Sequence, residues 1–217
     1  MIKNKLVVIG GSDAGISASL RAKELSSDAE VTLLLADRYP NFSICGLPFY
    51  LSGEVSDWKT LAHRTADEIE KKGIQLFPDH HVTAIIPDRK HILATDVEGR
   101  SRTFSYDRLV IGTGGVSLVP NLPGIDLPGI FSVRTVPDAR MIRAWLQRGE
   151  EGKTGMDSYT GHQVVTKPKR AVVIGGGFIG LEMVENFAHL GLEATLIEKL
   201  NQVMPPLDPE MARLVER

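Results

Sequence analysis

Three groups of residues have types and spacings that can do chemistry: two glycine-rich loops and a single cysteine. The first loop reads Gly10-Gly11-Ser12-Asp13-Ala14-Gly15, and the second Gly175-Gly176-Gly177-Phe178-Ile179-Gly180. In a strand-to-helix turn one glycine makes the bend, a second lets the backbone approach a pyrophosphate, and a third lets the helix pack on the strand. The helix N-terminus then favours the phosphate charge. The second loop satisfies all three positions with Gly175, Gly177 and Gly180, whereas the first carries Ser12 at the close-approach position. Asp37 lies 27 residues after Gly10 and Glu198 lies 23 after Gly175, near the spacing of about 20 at which a carboxylate accepts from a ribose hydroxyl. A carboxylate at Glu198 repels a 2′-phosphate, so the second site is expected to prefer NADH over NADPH, with Lys199 beside it softening the preference. The competing reading of each loop is a glycine-rich connection that holds no ligand.

Cys45 sits in Asn41-Phe42-Ser43-Ile44-Cys45-Gly46-Leu47-Pro48-Phe49-Tyr50. Pro48 suits the first turn of a helix, which would place Cys45 just ahead of that helix's positive end, a position that lowers a thiol pKa. A lone cysteine is more often a small buried hydrophobe, and spacing alone does not decide between the two. The six histidines are scattered without ligand spacing, so no metal is expected. No G-x-S-x-G elbow supports a hydrolase.

The elements that must position these residues repeat within the chain. Leu6-Val7-Val8-Ile9 before the first loop recurs as Ala171-Val172-Val173-Ile174 before the second, each a short β-branched run of the kind buried on both faces of a parallel sheet. A helix should follow each loop, with Ile16, Leu20 and Leu25 inward in one and Ile179, Met183 and Phe187 in the other. Then come second strands, Val31–Leu35 and Ala194–Ile197, each with its acid, Asp37 or Glu198. Two such βαβ openings mean two nucleotide sites or two halves of one, and two sites are expected. Between them the sequence predicts a helix over Thr65–Lys72 and short strands near Ile74–Phe77, Val82–Ile86, His91–Ala94, Thr103–Tyr106 and Leu109–Ile111. A further helix is predicted from Pro137 to Arg148. The expected organisation is a first nucleotide-binding domain over 1–150, a polar linker over 151–169, and the first βαβ part of a second nucleotide-binding domain over 170–217. The fold class is α/β, Rossmann-like, with an antiparallel β insertion.

The chain has 217 residues, of which 42% are hydrophobic and 24% charged, a composition that excludes a disordered tail or a coiled coil. A net charge of −2 with no basic run argues against nucleic acid or an anionic membrane surface. One cysteine excludes an internal disulfide. The N-terminal apolar run ends at Gly10-Gly11 with Asp13 following, which reads as a buried strand rather than a signal peptide. No stretch approaches the about 20 apolar residues of a membrane helix, and a cytoplasmic location is expected.

Taken together, these residues resemble the pyridine nucleotide–disulfide oxidoreductase flavoproteins. The likeness is to the single-cysteine branch with coenzyme A-disulfide reductase, NADH oxidase and NADH peroxidase. It rests on Gly10–Gly15, on Ser43-Ile44-Cys45-Gly46-Leu47-Pro48, on Tyr106-Asp107-Arg108-Leu109-Val110-Ile111-Gly112-Thr113-Gly114, and on Gly175–Gly180 with Leu181-Glu182. The resemblance implies FAD on the first site, held by Gly10, Gly11, Ser12 and Gly15, with Asp37 on the ribose, the Val82 backbone at the adenine, and Thr113 and Gly114 against the cofactor. It implies NADH on the second site, at Gly175, Gly177, Gly180 and Glu198. Electrons would pass from NADH through flavin to Cys45, and on to a small-molecule oxidant: a disulfide, polysulfide, peroxide or dioxygen. Three departures stand out. No second cysteine follows Cys45. Asn41 and Ile44 replace the Ser and Asn that precede the cysteine in coenzyme A-disulfide reductases. Family members also continue further, to a Gly-Asp flavin motif and a dimerisation domain, so the expectation is a truncated chain, inactive alone, of a full-length homodimer. Two alternatives remain open: a flavin electron-transfer reductase with a structural Cys45, and an inactive nucleotide-binding fragment.

Overall fold

The computed structural model describes residues 4–148 and 167–216. They group into two compact units, one formed by Met1–Ser43 with Lys59–Val116, the other by Ile44–Trp58 with Ser117–Arg217.

In the first unit, β1 (Lys5–Ile9), β2 (Glu30–Leu34), β3 (Ile74–Phe77) and β7 (Arg108–Ile111) form a parallel sheet in the order β3-β2-β1-β7. Parallel strands need crossovers; α1 (Asp13–Leu25) supplies the one from β1 to β2, and α3 (Ala66–Glu70) precedes β3. The alternation of side chains along β1 builds two cores. Val8 faces Ile16, Val31, Leu33, Ile69 and Ile74 on the helix side. Val7 and Ile9 face Leu34, Ile92, Ala94 and Phe104 on the other side. That second layer is an antiparallel sheet of β4 (His80–Ile86), β5 (His91–Asp96) and β6 (Ser101–Ser105). β1 is therefore covered on both faces, as its uninterrupted apolar sequence demands. Leu25, assigned to the inward face of α1, is exposed at the helix's last position.

The second unit holds α2 (Leu47–Ser52), α4 (Val136–Leu146), β8 (Arg170–Ile174), α5 (Phe178–His189), β9 (Glu193–Ile197) and α6 (Pro209–Val215). β8 and β9 pair in parallel, Ile174 opposite Ile197. Burial on both faces was expected of β8, but among the described residues it is half-buried only at alternate positions, because α5 covers one face of a two-stranded sheet. Val172, Ile174 and Ile197 are exposed on the other. Ile179, assigned to the inward face of α5, is exposed as well, while Met183 and Phe187 are buried. Compactness thus divides the chain elsewhere than between 1–150 and 170–217. A specific bond explains part of it: Arg143 on α4 donates from Nη1 to the carbonyl oxygens of Tyr50 at 2.8 Å, Val55 at 3.3 Å and Ser56 at 3.4 Å, with its guanidinium over the Tyr50 ring. The segment after the cysteine is thereby fastened to α4. Of the expected linker 151–169, residues 151–166 lie outside the described residues.

Candidate functional site

The first glycine loop lies at the carboxyl edge of its parallel sheet, where open α/β sheets bind ligands. Ile9 stands opposite Leu34 and Ile111, so the chain leaves β1, β2 and β7 at one level. Gly10 sits at φ 108°, a conformation that L side chains avoid. A Cβ on Gly10 would also collide with the Gly112 carbonyl and lie 3.2 Å from the Thr113 nitrogen, and a Cβ on Gly15 would collide with the Gly10 carbonyl. Loop, helix and the Gly112-Thr113 turn are in backbone-to-backbone contact; Thr113 and the neighbouring Gly114 are both exposed there.

The second loop repeats this construction. Gly175 has φ 106°, and a Cβ on Gly180 would collide with the Gly175 carbonyl. Gly10 N–H donates to Leu34 O at 2.8 Å, and Gly175 N–H donates to Ile197 O at 2.8 Å. Ser12 and Gly177 are the N-caps of α1 and α5, both extended, and neither helix start is closed by a side-chain cap. By contrast α3 and α4, which follow no glycine turn, close theirs with capping boxes from Thr65 and Thr135. The short α2 and α6 have no side-chain cap either, but they also lack the strand–glycine turn. The first N–H groups of α1 and α5 thus remain for an external acceptor. Nothing lies within 4 Å of where a Cβ of Gly177 would stand, so a pyrophosphate has room at the backbone there. On these grounds both loops fit a dinucleotide phosphate, with Ser12 adding an exposed side chain in the first.

The acids differ more than their spacing suggests. By strand register the residue following β9 is Glu198, and its counterpart following β2 is Leu35, two residues ahead of Asp37. Glu198 accepts from Gly176 N–H at 2.6 Å and from Leu200 N–H at 2.8 Å. These backbone donors, Leu200 first, hold its carboxyl below the usual carboxylate range. Leu35 instead is buried, with its side chain against Gly11. The expectation that both second strands end in an equivalent acid is therefore corrected: β2 ends in an apolar residue that fills the floor of the loop. Asp37 accepts from Tyr39 N–H at 2.9 Å in the following turn. Burial pushes its carboxyl up, against that hydrogen bond, and the neighbouring Asp79 adds to the rise. Arg38 reaches Asp79 at 2.8 Å.

Val82 lies on β4 opposite Ala94, beside a bulge that separates it from the next paired residue, Ala84. Among the described residues no hydrogen bond joins it to the loop. Cys45 occupies a single 3₁₀ turn, Ile44–Gly46, directly ahead of α2, which has Pro48 in its first turn. The thiol is exposed, unlike a core cysteine. Among the described residues no three His, Cys, Asp or Glu side chains group as metal ligands, and no helix is long and apolar enough to cross a membrane.

Residues 4–217 match the family described as pyridine nucleotide-disulphide oxidoreductase. The chain belongs to that family. Among relatives of this family member, a Pyrococcus furiosus NAD(P)H sulfur oxidoreductase (CoA-dependent) is 30% identical over 100% of the chain and 45% of its own length. Reduced Bacillus anthracis CoADR-RHD superposes with a TM-score of 0.88 at 34% identity, covering 100% of this chain and 36% of that one. The water-forming NADH oxidase of Lactobacillus brevis, bound to NADH, gives 0.86 at 30% identity, with 99% and 44% covered. The chain spans less than half the length of each of these relatives. Their structures share its Rossmann-like α/β architecture.

Proposed function

We propose that the chain is the nucleotide-binding portion of an FAD-dependent, NADH-using oxidoreductase that delivers electrons to Cys45 and from there to a small oxidant. The observation that carries this reading is the doubled loop: two strand–glycine–helix turns with matching backbone angles, matching strand hydrogen bonds and no side-chain cap on either helix. Family membership supports the cofactor pair, FAD at the first loop and NADH at the second.

Bound in this way, the cofactors supply hydride transfer from nicotinamide to flavin and electrons from flavin to sulfur. The chain's residues do the rest. Gly10, Gly11, Ser12 and Gly15 present α1's first N–H groups to one pyrophosphate, with Thr113 and Gly114 alongside. Asp37 lies beyond the strand end for the ribose, and the Val82 backbone serves the adenine. Gly175, Gly177 and Gly180 do the same for NADH. The Glu198 carboxylate, fixed by two amide donors, accepts from a ribose hydroxyl and repels a 2′-phosphate. Once the small oxidant has converted Cys45 to a mixed disulfide or a sulfenic acid, its sulfur would take two electrons and return to the thiolate, releasing a thiol or water; its exposure favours this over a packing role. Relatives named for coenzyme A-dependent sulfur reduction and for NADH oxidation support a disulfide, polysulfide, peroxide or dioxygen as oxidant. A homodimeric full-length form and a cytoplasmic location belong to the same reading.

The test starts from the purified chain with Cys45 first converted to a mixed disulfide by a small disulfide, and is a visible titration with FAD, followed by NADH under argon and then thiol counting. Flavin uptake, bleaching by NADH and a gain in titratable thiol lost in Cys45→Ser are expected. Bleaching without any change in thiol would move the assignment to an electron-transfer reductase with a structural Cys45. A chain that takes up neither nucleotide would leave the doubled loop without its proposed role.

A further inference from the structure

The segment after β2 returns to the first glycine loop at Asn41, and the segment after β9 returns to the second at Met204. Asn41 N–H donates to Gly11 O at 2.8 Å and Met204 N–H to Gly176 O at 2.7 Å. Both residues are buried and left-handed, with φ 55° and 49°, a conformation that costs a non-glycine residue energy unless its surroundings enforce it. The backbone device is common to the two loops; the side chains are not. Met204 is apolar, and the first-turn residue of its helix is Phe178. In the first loop that place belongs to Asp13, whose Oδ1 accepts from Asn41 Nδ2 at 3.0 Å. Asn41 Oδ1 in turn accepts from Arg64 Nη1 at 3.2 Å, and Asn41 O accepts from His63 N–H at 2.8 Å.

Resting on the FAD reading of the first loop, we propose that Asn41 is the positioning residue of that site and takes no part in recognising the oxidant. The residue is 3% exposed and its side chain is engaged at both ends, so it is buried away from a substrate. Its work is to hold Asp13 in a relay Asp13–Asn41–Arg64. An acid in the first turn of α1 competes with a pyrophosphate for the same N–H groups and repels it. Tied to Asn41, whose amide oxygen is in turn held by Arg64, that carboxylate is kept in one place. The second loop, with no acid in its first turn, needs no such residue.

The test is an exchange of partners. Asn41→Asp keeps the shape and the Arg64 contact but sets one carboxylate against another, and Asn41→Met transplants the residue of the second loop. Each should weaken FAD binding at pH 7 by about tenfold, the size of one lost charge-assisted hydrogen bond. Adding Asp13→Asn to Asn41→Asp restores a donor to the pair and should return affinity to within about threefold of wild type. Full-strength binding by Asn41→Asp, or no recovery in the double variant, overturns the proposal. Melting of the ligand-free chain provides a second readout: the same loss and recovery is expected in the midpoint, and its absence overturns the relay even if no variant binds FAD. A wild-type chain that binds no FAD but shows the melting pattern defeats the FAD reading while leaving Asn41 as the residue that sets the loop.

Discussion

Asp37 shows how far a single residue's role follows from its position along the chain. Counting from Gly10 places an acid near the ribose, and that count is what the sequence offers. Register assigns the strand-end place to Leu35 instead: the connection from the first loop to the end of β2 is two residues longer than its counterpart, but Asp37 stands four residues further from Gly10 than Glu198 does from Gly175. Nothing in a run of leucines announces which one ends the strand, so the shift was invisible beforehand. Asn41 was equally hidden, since its partners Asp13 and Arg64 are distant in sequence. Asp37 also carries a prediction. Burial disfavours its charged form, so the fold pays nothing below the ordinary carboxyl value of 3.8 and bears the full penalty once pH exceeds the raised native value. Asp37→Asn keeps an oxygen for Tyr39 N–H and removes the penalty. The ligand-free variant should melt higher than wild type at pH 7, with the gap closing toward pH 3, and it should bind FAD more weakly. Equal midpoints at pH 7 would show that burial of this carboxylate is not felt.

At the scale of elements, the strand–glycine–helix turns were legible because two independent constraints meet in them: a bend open to few residues other than glycine, and a helix that must touch the strand. The same logic separates two glycines of one loop. Gly180→Ala forces a Cβ onto the Gly175 carbonyl and should destabilise the unit by about 3 kcal/mol, read as a lowered melting midpoint. Gly177→Ala enters open space at an ordinary φ of −80°, so it should cost no more than about 1 kcal/mol, that of a weakened N-cap, while NADH binding falls sharply. Equal effects of the two on melting would contradict this division. The helices of the middle region were legible from composition and from Pro137 in the first turn; the structure adds that Thr65 with Glu68, and Thr135 with Asp138, close them with complete capping boxes. What the sequence could not show was where the α2 segment belongs, since a six-residue helix has too little periodicity to reveal its neighbours.

For the whole molecule, the open face of the second unit sets the expected behaviour in solution. Val172, Ile174 and Ile197 present a continuous apolar strip, with Ile174 at 64% exposure, and such strips attract other apolar surfaces. The chain should enhance the fluorescence of an apolar dye, and Ile174→Lys with Ile197→Lys should abolish most of that signal; an unchanged signal would place the dye elsewhere. The hydrogen bonding of Arg143 to three carbonyl oxygens has a consequence of another kind. Its partners Tyr50 and the carbonyls beyond it lie as far as 93 residues upstream. At roughly 10 residues per second, a ribosome releases the cysteine segment roughly ten seconds before α4 can fasten it. During synthesis the thiol is therefore held from one side only, by the Asn41–Gly11 hydrogen bond ahead of it, and its first encounters with oxidants precede the architecture that will later govern them.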